Sequence, residues 1–132
     1  MGEVSERVGR RFAMLGALVA SMAVAGGAFG AHALRDIVAP ERLATFETGA
    51  RYALTHGIAL FALGALLLAR PDLTEQLRSV GWLWLAGVAL FSGSLWALAL
   101  LDFLVLGAVT PFGGIGMIAG WLWLAWRLRR AA

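Results

Sequence analysis

The sequence contains no cysteine, and its 11 basic residues are all arginine. Without cysteine the chain can form no disulfide, iron–sulfur cluster, thiolate zinc site or cysteine nucleophile. Charged residues make up 14% of the chain, compared with about 25% of an ordinary soluble domain. Since 61% of the 132 residues are hydrophobic, a soluble fold of this size could not bury its apolar side chains. The composition therefore excludes a water-soluble enzyme domain and a disordered chain.

The formal net charge of +3 does not indicate nucleic-acid binding in this sequence. The arginines lie at the ends of long apolar segments, which is the pattern of membrane-topology signals and of contacts with lipid headgroups. The expected partner is therefore the lipid bilayer, together with a second copy of the chain or another membrane protein, and no nucleic acid is expected.

Four apolar runs predict four membrane-spanning helices. A helix that crosses a bilayer needs about twenty predominantly apolar residues. Asp102 and the Thr110-Pro111 pair divide the last long apolar stretch, and Thr110 and Pro111 suit a helix N-cap and a first helical position. The predicted fold class is all-α, an integral-membrane four-helix bundle in one domain covering residues 1–132. Its spans are expected at about residues 12–34, 52–70, 80–101 and 111–127.

The polar connector after the first span contains a predicted short helix. Pro40 suits a first helical turn, and Leu43, Phe46 and Ala50 recur at helical spacing. These features predict a short amphipathic helix at about residues 40–51, lying at the membrane interface between spans one and two. The apolar connector 103–109 is expected to lie in the interface or to fold partly into the protein, on the same side of the membrane as this helix.

The distribution of arginine predicts the orientation of the chain. Eight of the 11 arginines lie in the two terminal segments and the second connector, and the first connector carries the others, Arg35, Arg42 and Arg51. The positive-inside rule then places both termini in the cytoplasm. Residues 1–33 also resemble a signal peptide, because a basic start and an apolar run precede Ala31-His32-Ala33. That run is long for a signal peptide, so we expect an uncleaved inner-membrane protein.

The few polar residues in the predicted spans are the candidates for a functional site, because polar groups are costly inside a membrane. The topology places most of them toward the outer side, where Tyr52 and His56 share one helix face. Ser92 and Ser94 lie in the middle of span three. The predicted outer polar cluster consists of His32, Glu47, Tyr52, His56, Asp102 and Thr110.

This cluster has more than one interpretation. Two histidines at one depth could ligate haem iron, bind a metal with Asp102, or line a quinone pocket. They could instead donate hydrogen bonds to Asp102, to Tyr52 or to backbone carbonyls and so hold the bundle together. The spacing is not that of a metal motif, and no acid–base dyad accompanies the serines. We therefore expect no catalytic residue, no metal and no cofactor.

Glycine and tryptophan predict helix packing and membrane anchoring. Gly26 with Gly30, and Gly116 with Gly120, form GxxxG pairs of the kind that lets helices approach closely. Five tryptophans near the inner ends of spans three and four predict an interfacial anchoring belt. These are Trp82, Trp84, Trp121, Trp123 and Trp126.

Four motifs follow one another along the chain. They are Gly27-Ala28-Phe29-Gly30-Ala31-His32-Ala33-Leu34, Phe46-Glu47-Thr48-Gly49-Ala50-Arg51-Tyr52 with His56, Phe91-Ser92-Gly93-Ser94-Leu95-Trp96, and Thr110-Pro111-Phe112-Gly113-Gly114 with Gly120-Trp121. Together they resemble the YgdD-like family, the domain of unknown function 423 group, which has a eukaryotic small-transmembrane-protein branch. The resemblance covers about residues 12–126, and Trp96 stands where members often carry tyrosine. It implies an uncleaved multi-helix protein of the bacterial inner membrane and no established reaction.

The expected function is that of a non-enzymatic structural or accessory component of a membrane assembly. Two alternatives remain open from the sequence. One is a small transporter or ion pathway, for which His56 is the best titratable candidate. The other is a haem- or quinone-binding membrane protein that uses the outer histidines.

Overall fold

The computed structural model describes residues 2–131, and these form four long helices without any strand. Helix α1 covers Gly2–Phe29 and continues as a π-helical segment, Gly30–Leu34. Helix α2 covers Pro40–Ala69, and a short 3-10 segment, Pro71–Leu73, leads into α3. Helix α3 covers Thr74–Leu101, a second 3-10 segment covers Leu104–Ala108, and α4 covers Thr110–Ala131.

All four helices are long and apolar enough to cross a membrane. The prediction of an all-α membrane protein with four spans is therefore confirmed. The helices are longer than the predicted spans because their charged ends remain helical. At the start of α1, for example, Glu3 pairs with Arg7 and Glu6 pairs with Arg10, each one helical turn apart.

The segment predicted as an interfacial helix is helical but is not a separate element. Residues 40–51 form the first turns of α2, which runs for 30 residues without a break. At 1.5 Å per residue this helix is about 45 Å long, more than the roughly 30 Å hydrocarbon core of a bilayer. No proline interrupts it after Pro40, and Phe46 and Ala50 are buried against neighbouring helices. The amphipathic pattern thus marks the polar end of a long helix.

Consecutive helices pack against each other in antiparallel pairs, and the bundle is open on one side. Helix α1 lies against α2, α2 against α3, and α3 against α4. Among residues 2–131, no Cα atom of α4 comes within 8 Å of one in α1 or α2. Helices α2 and α3 therefore form the centre, and α1 and α4 are peripheral.

Glycine controls how closely the paired helices approach. A Cβ built on Gly16 of α1 would lie 2.3 Å from the backbone nitrogen of Phe61 in α2, and one on Gly64 would lie 2.3 Å from that of Ala13. In the other pair, a Cβ on Gly113 of α4 would lie 2.4 Å from the nitrogen of Phe91. Only glycine permits this backbone-to-backbone contact, which replaces the missing hydrophobic driving force between helices in lipid.

The four predicted packing glycines also face neighbours, but mostly side chains. Gly26 lies against the Trp96 ring, Gly30 against Phe46, and Gly120 against Trp84, while Gly116 makes ordinary contact with the backbone of Gly87. The tightest backbone contacts instead use Gly16, Gly64 and Gly113, which the four-residue GxxxG pattern does not identify.

We expect Gly16→Ala to destabilise the protein, because the new methyl group meets the backbone of α2 and forces the two helices apart. Overpacking of this kind costs about 1–3 kcal/mol. Gly27→Ala on the same helix is the matched control, since its Cβ would meet no atom within 4 Å. Thermal unfolding in detergent should show a lower Tm for Gly16→Ala alone. Equal Tm values for the two variants would contradict this packing.

Candidate functional site

His56 is the buried titratable side chain at the centre of the polar groups in the spans. It lies on α2, only 4% of its surface is exposed, and it faces α3 and α4. It is also one of the residues that the sequence marks as candidates for a haem, metal or proton-carrying role. The partners of its two ring nitrogens therefore decide what the residue can do.

Both ring nitrogens of His56 are hydrogen-bonded within the protein. Nδ1 lies 2.9 Å from the backbone oxygen of Tyr52, and Nε2 lies 3.0 Å from Nε1 of Trp121. A carbonyl oxygen can only accept and an indole N–H can only donate. Nδ1 must therefore carry the proton and Nε2 must accept from Trp121, which defines the neutral Nδ1–H tautomer. The second bond joins α2 to α4, whose backbones do not meet.

Aromatic rings surround this hydrogen-bonded pair. The rings of Trp84 and Trp121 have centroids 4.3 Å apart, and those of Tyr52 and Phe91 have centroids 4.8 Å apart. Tyr52 and Trp84 each also pack against the imidazole. We refer to these five side chains, which come from three helices, as the aromatic cluster: Tyr52, His56, Trp84, Phe91 and Trp121.

Two of the tryptophans expected in the interfacial belt belong to the aromatic cluster: Trp84, which is buried, and Trp121, which is 43% exposed. Trp84 is 1% exposed and its ring lies over Gly120, where a Cβ would come within 2.5 Å of Cδ1. Trp121 provides the donor to His56. The remaining three have partly or fully exposed side chains, and Trp126 stacks with the guanidinium group of Arg130 at 4.0 Å, as in a headgroup-level anchor.

A second polar contact joins α3 to the start of α4. The hydroxyl oxygens of Ser94 and Thr110 are 2.7 Å apart. Ser94 Oγ also lies 2.9 Å from Phe91 O, and Thr110 Oγ1 lies 3.3 Å from Leu106 O. Since two hydroxyl protons serve three contacts, two bonds can form at one time. Thr110 thus belongs to a helix–helix contact.

The other members of the predicted outer polar cluster do not join His56. His32, in the π-helical segment, Glu47 and Asp102 have exposed side chains, and no hydrogen bond links them to His56 within residues 2–131. Asp102 ends α3 in the left-handed region, with φ of 58°, and its N–H donates to Leu98 O. In the described part of the chain no group of three histidine or carboxylate side chains is arranged to hold a metal ion.

Contacts that the sequence did not suggest connect the C-terminal end of α3 to α2. Trp96 Nε1 donates to Phe46 O at 3.1 Å, and its ring stacks on that of Phe46. Arg42 Nε donates to Ala99 O at 2.8 Å, near the C-terminus of α3. These bonds satisfy carbonyl groups at and beside the membrane interface, where Trp and Arg are favoured.

We expect Trp121→Phe to lower stability, because it removes the indole donor to His56 and keeps an aromatic ring. One interhelical hydrogen bond in a membrane protein contributes about 0.6–2 kcal/mol. Trp123→Phe on the same helix is the matched control, since Trp123 is exposed and packs against Trp126 and Arg127. Thermal unfolding in one detergent measures both. An equal loss in the two variants would argue against the bond.

Comparison with known proteins places the chain among membrane proteins. Residues 26–114 match the family model described as protein of unknown function (DUF423). A UPF0382 membrane protein of Staphylococcus saprophyticus is 42% identical over 113 residues, which are 86% of this chain and 92% of that protein. The UPF0382 membrane protein YwdK of Bacillus subtilis is 40% identical over 111 residues, 84% of this chain and 89% of that protein. No solved structure matches the chain. The chain, a membrane protein with four apolar helices, therefore belongs to the DUF423 family.

Proposed function

We propose that the chain is a non-enzymatic accessory component of an assembly in the bacterial inner membrane, with both termini in the cytoplasm. The observation that carries the proposal is the pairing of His56. Its two ring nitrogens are both occupied by protein partners. A metal ligand or a proton carrier would need at least one of them for another atom. The residue best suited to chemistry thus serves to connect helices.

The distribution of the chain across the membrane supports the same role. The connectors between the helices are short. The residues outside helical elements there are 35–39, Arg70, 102–103 and Val109. Whatever this region of the chain does is therefore done within the bilayer or at its surface. Lateral association with other helices is the activity that such a surface allows.

The peripheral helices supply the surface for association. Among the described residues, the backbone of α4 contacts α3 and the 3-10 segment Leu104–Ala108, but not α1 or α2. Its outward face carries bulky apolar side chains at helical spacing, and α1 carries a comparable row. The α4 row is Phe112, Ile115, Ile118 and Leu122, and the α1 row is Met14, Leu18 and Met22.

Association can be tested by cross-linking, because the chain contains no native cysteine. We expect Ile118→Cys or Leu18→Cys to form a specific cross-linked complex in native membranes, and the tagged protein to co-purify with itself or another membrane protein in mild detergent. Gly2→Cys, outside the apolar spans, is the control for random collision. A monomer in every detergent and lipid tested, without cross-links at either helix, would contradict the proposal.

The transporter alternative predicts a different result in proteoliposomes. An accessory protein should leave the proton permeability of the vesicles unchanged, with or without His56→Ala. A proton flux that depends on the wild-type protein and disappears in His56→Ala would contradict the accessory role.

The orientation has its own test with single cysteines on exposed residues. We expect Asp36→Cys and Leu104→Cys to react with a membrane-impermeant maleimide in intact spheroplasts, and Glu3→Cys and Glu75→Cys to react only after permeabilisation. All four native side chains are exposed. The reverse labelling pattern would contradict the positive-inside assignment.

A further inference from the structure

A groove between α1 and α3 lies apart from the aromatic cluster. Its volume is about 290 Å³, near the lower limit of small-molecule pockets. Val19 and Met22 of α1 form one wall, α3 forms the other, and Ala53 of α2 lies between them. Met22 is 58% exposed, so the groove opens toward the lipid.

The wall of this groove contains a buried hydroxyl group without a partner. Ser92 lines the groove and is only 2% exposed, and its Oγ has no hydrogen bond. Its near neighbour Ser94 is bonded to Phe91 O and Thr110. A buried hydroxyl without a partner lowers stability, because its lost hydration is not replaced. The otherwise apolar wall therefore contains one hydroxyl that the protein leaves unpaired, and the Oγ atom itself is buried beneath the groove surface.

The depth of Ser92 restricts what could bind there. It lies nine residues before Leu101, the end of α3, which corresponds to about 14 Å along the helix. Half of a hydrocarbon core is about 15 Å, so Ser92 lies near the middle of the bilayer. Phospholipid headgroups and ester groups do not reach this depth. A lipid acyl chain does, but it has no atom to accept a hydrogen bond.

We propose that this groove binds the headgroup of an isoprenoid quinone. A quinone dissolves in the bilayer interior, and its ring carbonyl accepts a hydrogen bond from Ser92 Oγ once rotation about the Cα–Cβ bond turns this buried hydroxyl toward the groove. The ring lies against the apolar wall beside Trp96, which also lines the groove, and the tail leaves past Met22 into the lipid. The proposal concerns binding alone and includes no electron transfer. It is separate from the outer histidines and does not depend on the accessory role.

The test measures binding of decylubiquinone, a short-chain quinone, to the protein in phosphatidylethanolamine–phosphatidylglycerol nanodiscs. Saturable quenching of tryptophan fluorescence reports occupancy. We expect saturation at one quinone per chain. Ser92→Ala, which keeps the volume of the groove, should weaken binding about fivefold, the factor for one neutral hydrogen bond of about 1 kcal/mol.

Two glycine variants distinguish this groove from other sites. Gly93 lines the groove, and a Cβ built on this glycine would meet no atom within 4 Å. Gly93→Leu should therefore fill the groove without disturbing the fold and abolish saturable quenching. Gly27→Leu, at a glycine of α1 that is equally open and does not line the groove, should bind like the wild type. Circular dichroism and gel filtration establish that each variant is folded.

Three results would overturn the proposal. Unchanged affinity in folded Ser92→Ala would remove the role of the hydroxyl, and saturable binding in folded Gly93→Leu would place the quinone elsewhere. Equal competition by decylbenzene, which has the same chain but no carbonyl, would mean that the groove accepts hydrocarbon only. None of these results would affect the cross-linking test of association, so the two proposals can fail separately.

Discussion

The absence of water in the hydrocarbon region is the constraint on which this structure depends. Every polar group placed there must find its partner within the protein or among lipid-soluble molecules. His56 meets this requirement through Tyr52 O and the indole of Trp121, and Ser94 meets it through Thr110 and Phe91 O. Because these bonds join helices whose backbones are not all in contact, satisfying the polar groups also determines the arrangement of the bundle.

Glycine provides the complementary contribution from the backbone. In lipid, helices gain little by burying apolar side chains, so packing depends on close approach. Gly16 and Gly64 bring α1 and α2 into backbone contact, and Gly113 does the same for α3 and α4. Helices α2 and α4 lack such a contact, and the His56–Trp121 bond with the surrounding aromatic rings spans the gap between them. At the α3–α4 interface the Ser94–Thr110 contact and glycine packing act together, whereas between α2 and α4 polar bonding acts without backbone contact.

The sequence was sufficient to predict the architecture because length and hydropathy decide it almost alone in a membrane. It predicted the four spans and the family, and it identified Tyr52 and His56 as neighbours on one face. It did not predict Trp121 as the partner of His56, because an indole in the inner half of a predicted span has the same signature whether its N–H faces headgroups or donates to another helix. The seven-residue spacing of Gly57 and Gly64 was likewise less conspicuous than GxxxG. His56 packs against Trp84, which lies 18 residues before Asp102 on α3, about 27 Å along the helix, so depth separates His56 from Asp102, and the loop-based topology did not resolve that depth.

The central claim is that His56 connects helices as a neutral imidazole with both nitrogens occupied. Solid-state NMR of the ¹⁵N-histidine-labelled protein in lipid bilayers at pH 7 tests this directly, with His32→Gln used to assign the signals. The account predicts that His56 has a protonated Nδ1 and an unprotonated Nε2, with a through-space correlation between Nε2 and the Trp121 indole N–H. An imidazolium signal, or a protonated Nε2 without that correlation, would contradict it.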